Sequence, residues 1–78
     1  MTRTKTLLCA GLRDRLRRTR KAQELSIAGL AEKAGLAHTT IRNIEEGRRM
    51  PGVDTVEMLA RALGVDPRWL AYDGTPEP

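Results

Sequence analysis

Between residues 38 and 49 the chain gathers His38, Thr39, Thr40, Arg42, Asn43, Arg48 and Arg49. These are hydroxyl, imidazole, carboxamide and guanidinium groups. They suit hydrogen bonding to base edges and neutralisation of phosphates. Ile41 and Ile44 stand three residues apart in the same stretch. A helix turns both to the core and leaves His38, Thr39, Arg42 and Asn43 outside. Catalysis finds no comparable support. Paired carboxylates in a shared cleft, a Ser-His-Asp or Cys-His set and a glycine-rich phosphate loop are all missing, so no catalytic residue is expected. One cysteine (Cys9) and one histidine (His38) build neither a zinc site nor an internal disulfide. No metal, cofactor or small-molecule ligand is expected.

The elements that must present this polar face are short. A helix over about 38–46 ends at Gly47. Before it, Ser26 is a suitable N-cap for a helix over 27–34 whose Leu30, Ala31 and Ala34 face inward, and Gly35 suits the left-handed position that stops it. Two helices pinched at a glycine, with the small Ala31 allowing close approach, have the layout of a helix-turn-helix, which pushes its second helix into the major groove. Leu8, Leu12, Leu16 and Thr19 make one stripe on a first helix over about 6–23, with Arg13, Arg17 and Arg20 along one flank. Val56, Leu59, Ala60 and Leu63 mark a fourth helix over 53–63, begun at Gly52 or Asp54. Asp66 and Pro67 open a fifth over 67–72, with Trp69 and Leu70 packing it onto the core. No segment alternates with period two. The expected fold is therefore all-α, a compact five-helix bundle. Residues 1–5 form a flexible basic N-terminal arm, 6–72 the folded domain and 73–78 a C-terminal tail.

The totals agree with one small domain. Seventy-eight residues bury a modest core, and with no Phe, one Trp and one Tyr that core is aliphatic. The net charge of +4 is unevenly spread. Residues 1–22 carry eight Lys or Arg against Asp14 alone, whereas residues 23–78 carry six basic and nine acidic groups. A basic first segment on an acidic body favours a polyanion. The beginning, with Leu7, Leu8 and Cys9 after basic residues, imitates a secretion signal. Its apolar run is only six residues long, however, and Arg13 follows it. Cys9 reads as a small core or boundary residue. Nothing approaches a membrane span, and the expected location is the cytoplasm of a bacterium, encoded by it or by a phage.

Leu25-Ser26, Leu30-Ala31, Gly35-Leu36, Thr39-Thr40-Ile41, Ile44-Glu45, Gly47, Pro51, Leu59-Ala60, Ala62-Leu63-Gly64 and Leu70 together resemble the lambda-repressor-like, Cro/repressor (XRE) helix-turn-helix family over about residues 10–72. The resemblance implies a double-stranded DNA-binding transcriptional regulator, most simply a repressor acting as a homodimer on an inverted-repeat operator. It implies that His38, Thr39, Arg42 and Asn43 form the base-reading surface. Asn43 then suits adenine, and Arg42 either guanine or a phosphate. Thr39 and Thr40 also suit the first-turn amides. The resemblance places Arg48 and Arg49 on phosphates, with Ser26, Thr40 and Arg20 as further backbone contacts. It pairs Arg20 with Glu45.

Two positions depart from the family pattern. Ile27 stands where a phosphate-holding Gln is usual, and Ala37 where Ser or Thr caps the recognition helix. A rival reading keeps the fold as a protein-interaction module, antitoxin-like or adaptor, with weak or non-specific DNA binding. Ile27, Trp69 and Tyr72 would serve it.

Overall fold

In the computed structural model the backbone is described for residues 2–72 and the side chains for residues 11–72. Five α-helices follow one another: α1 (Thr2–Ala22), α2 (Ile27–Ala34), α3 (His38–Glu45), α4 (Val53–Leu63) and α5 (Pro67–Tyr72). Among the described residues there is no strand. The all-α expectation holds, and α2, α4 and α5 fall on the expected spans. The first helix begins at Thr2, so residues 2–5 continue α1 instead of forming a separate arm. No proline or glycine stands between Thr2 and Ala10 to stop the helix from extending backward. The expected tail at 73–78, and the side chains of Leu7, Leu8 and Cys9, lie outside the described residues.

Six side chains are essentially sealed from water: Leu16, Leu30, Ile41, Ile44, Leu59 and Leu70. Every helix supplies at least one, so none of the five is an appendage. Burying such a side chain stabilises by roughly 1.5–3 kcal/mol. The shared core explains why helices of six to eight residues, too short to persist alone, hold here. Within it α1 packs on α5 and α3, and α2 on α3 and α4.

Helices α1 to α4 all end by the same device. A residue in the left-handed region turns the chain, and the next amide donates back to a carbonyl five residues earlier. The bonds are Leu25 N to Arg20 O (3.1 Å), Leu36 N to Ala31 O (2.9 Å), Arg48 N to Asn43 O (2.9 Å) and Val65 N to Ala60 O (3.0 Å). The turning residues are Gly35, Gly47, Gly64 and, against expectation for a side chain, Glu24 at φ 58°. An apolar residue normally follows the turn and packs inward, as Leu25, Leu36 and Val65 do. Arg48 breaks that series and stays in solvent.

Candidate nucleic-acid interface

Helix α3 is built from a sequence that buries only two of its side chains, Ile41 and Ile44. Their spacing fixes its rotation about its own axis. His38, Thr39 and Arg42 are exposed, and Asn43 and Thr40 are half-buried at the margins. One turn apart, His38 and Arg42 touch, Nε2 to Nη2 at 3.4 Å. The expected base-reading residues thus share one solvent-facing surface. The turn before α3 is tight because Gly35 adopts φ 74° and its successor closes the bond to Ala31.

The start of α3 is sparsely held. Ala37 is the N-cap and contributes no side-chain hydrogen bond. Helix α2 begins differently, with the Ser26 hydroxyl accepting from the Gly29 amide at 2.9 Å. That hydroxyl still has its own hydrogen to donate.

The far end of α3 is clamped. Arg20 donates from Nε to Glu45 Oε2 at 2.7 Å and from Nη2 to Glu45 Oε1 at 3.0 Å, a two-pronged contact between α1 and α3. Its Nη1 donates to the Leu25 carbonyl at 2.8 Å. The carboxylate holds Arg20 still more firmly protonated, against a smaller opposing effect of burial. Arg20 and Glu45 are therefore brought together as a pair. Arg20 is largely committed to these contacts. The residue is 8% exposed and all three of its guanidinium nitrogens donate inward.

Beyond Glu45 the chain turns at Gly47 and presents Arg48 and Arg49 to solvent. Arg48 Nε stands 3.4 Å from Glu46 Oε1, an exposed and weak pair that leaves its other donors outward. The guanidinium of Arg13, from α1, lies over Gly47, where any Cβ would collide with it.

Sequence reasoning missed Arg15. It is 7% exposed, and its Nε donates to the Leu70 carbonyl at 3.0 Å, tying α1 to the last turn of α5. The signal was present. Arg15 stands three residues after Leu12 and one before Leu16, inside the apolar stripe and not on the flank. Trp69, as expected, packs partly buried against the core.

A family model described as helix-turn-helix (HTH_3) matches residues 16–70, which takes in α2, α3 and the clamp that joins them to α1. The chain belongs to this helix-turn-helix family. The resemblance drawn from the sequence is thereby borne out, and α2–α3 is the family's helix-turn-helix unit. Among relatives, the immunity repressor protein of Bacillus phage phi105 is 39% identical over 52 residues, 67% of this chain. The match spans only about a third (36%) of that repressor. Two solved structures are also similar. The restriction-modification controller protein C.AhdI from Aeromonas hydrophila matches with a TM-score of 0.76 at 34% identity, over 80% of this chain and 94% of that one. The hypothetical transcription factor NHTF from Neisseria matches with a TM-score of 0.78 at 31% identity, over 82% of this chain and 74% of that one. Among the described residues no helix is long and apolar enough to cross a membrane.

Proposed function

We propose that this helix-turn-helix chain acts as a transcriptional repressor, binding an inverted-repeat operator as a homodimer. The observation that carries the reading is the outer face of α3. It presents His38, Thr39, Arg42 and Asn43 together, is locked to α1 through Glu45, and is followed at once by Arg48 and Arg49. Side chains on α3 read base edges in the major groove, while Arg48, Arg49, Ser26 and Thr40 hold phosphates on either side. The named regulators to which the chain is similar support the same reading. Repression follows by occlusion, since a duplex covered by the dimer is closed to polymerase.

Dimerisation is inferred from need and from shape. One recognition helix touches only a few base pairs, too few to single out a site, so two half-sites about 34 Å apart are required. Met50, Val53 and Tyr72 are the exposed large hydrophobic side chains among the described residues. All three line one apolar groove of about 320 Å³ between the start of α4 and α5. Met50 directly follows Arg49, so the groove adjoins the phosphate-facing loop. This groove is the surface proposed for a second copy.

Selection from randomised duplex DNA at about 150 mM salt tests the reading. An enriched inverted repeat is expected. An enriched single half-site would retain sequence reading and remove the dimer. Absence of enrichment would overturn the proposal in favour of a protein-interaction module.

A further inference from the structure

Arg13, Arg17 and Arg20 stand at spacings of four and three, which places them in one row along a flank of α1. The row runs past the C-terminal end of α3. Arg20 grips Glu45. Arg13, Arg17 and Glu45 line one polar cleft together with Asp14. Arg13 reaches furthest and covers Gly47, the residue before Arg48. Of the row only Arg20 is buried, while Arg13 and Arg17 are exposed.

The acids nearby already have partners. Glu45 is taken by Arg20, Asp14 pairs with Arg18 at 2.9 Å, and Glu46 stands beside Arg48. Among the described residues neither Arg13 nor Arg17 is held in an ion pair. Arg13 therefore lies against the turn that leads into Arg48 and Arg49, with Arg17 beside it in the same cleft and little acid left to offset them. Gly47 matters twice in this arrangement. Its φ of 78° suits glycine, and its missing Cβ lets the Arg13 guanidinium lie against the chain next to Arg48.

We propose that Arg13 and Arg17 form a second phosphate-binding site, on α1 and outside the α2–α3 motif, taking backbone phosphates of the duplex next to those held by Arg48 and Arg49. It rests on the DNA-binding reading above. A guanidinium suits this task because it stays charged and offers a planar fork to two phosphate oxygens. Such contacts add affinity and carry no sequence information.

The test is the salt dependence of binding to a short duplex of random sequence, measured by fluorescence anisotropy between about 50 and 200 mM salt. The wild-type chain is compared with Arg13→Gln/Arg17→Gln, Arg17→Gln, Arg13→Lys/Arg17→Lys and Arg48→Gln. Each phosphate contact contributes about 0.9 to the slope of log affinity against log salt. The double Gln variant is expected to flatten the slope by about 1.8, so that over this fourfold range it loses roughly twelvefold less affinity than wild type. Arg17→Gln alone should flatten it by about 0.9, and the Lys variant should restore the wild-type slope. Cations that merely capped the end of α3 would alter the melting temperature and leave the slope alone. An unchanged slope in the double Gln variant, with Arg48→Gln reduced, would sink this site and leave the DNA-binding reading standing. A wild-type chain with no affinity for any duplex would overturn both.

Discussion

At its C-terminal end α3 is tied to α1 by a guanidinium–carboxylate fork, covered by Arg13 and closed by a left-handed glycine. At its N-terminal end it has an alanine for a cap and leaves His38, Thr39 and Arg42 in water. The same eight residues are thus rigidly held at one end and lightly held at the other. The contrast separates two tasks. The clamped end fixes where the helix points. The open end leaves His38, Thr39 and Arg42 exposed, which is what the proposed base reading requires.

The contrast breaks most easily at Glu45. Glu45→Ala leaves the nearly buried Arg20 cation without its partner, and should destabilise the fold by about 3 kcal/mol, measured by urea unfolding. Little change in stability would mean that α3 is oriented by Ile41 and Ile44 alone.

At the open end, Arg42→Ala and Asn43→Ala should each relax preference at one operator position by about 1–3 kcal/mol. Melting temperature should barely move, because neither side chain holds the core. Equal weakening on every sequence would reassign Arg42 to a phosphate.

Adding the missing cap tests the looseness directly. Ala37→Ser should stabilise the chain by about 1 kcal/mol in thermal unfolding if the first-turn amides of α3 lack a partner. No gain would show that Thr39 or Thr40 already serves them.

A gain is also expected from Glu24→Gly, because the left-handed penalty of roughly 1–2 kcal/mol for a side chain is only partly offset by the greater conformational freedom glycine loses on folding. Glu24 carries a side chain at φ 58° in the turn that sets Arg20 beneath Glu45. A loss instead would mean that the Glu24 side chain does something besides strain the turn.

The smallest effect concerns α5, remote from either end of α3. The Arg68 amide, and then its side chain, hold the half-buried Asp66 carboxyl below its usual range. A depressed folded value contributes stability above the ordinary carboxylate range and loses it as pH falls through the lowered value. Wild type should therefore lose a little thermal stability below about pH 4, and Asp66→Asn should lose less over that window. Parallel curves would show that the Asp66 charge contributes nothing.

Much of this organisation was legible in the residues. Ile41 and Ile44 fixed which face of α3 stays outside, because a 3.6-residue period leaves no choice once two anchors are set. Ser26, Gly35, Gly47, Gly64 and Asp66 marked helix ends because their capping and turning chemistry is local. The extent of α1 was less legible, since nothing in residues 2–5 forbids or demands a helix. The arginines were harder still. Periodicity set Arg13, Arg17 and Arg20 on one flank of α1 and Arg15 inside its apolar stripe, but named no partner for Arg13 or Arg15.

Periodicity, caps and turns act between residues a few positions apart, and so the sequence by itself determined five helices, their breaks and the exposed face of α3. Tertiary structure decided what Arg13 and Arg15 do, and it supplied the geometry of the Arg20–Glu45 pair that the family resemblance implied. Arg15 meets a carbonyl 55 positions away, Arg20 a carboxylate 25 positions away, and Arg13 lies over Gly47. Charge is a property of the residue. Whether that charge is buried and paired or left exposed depends on which distant backbone and side chains the folded core brings to it.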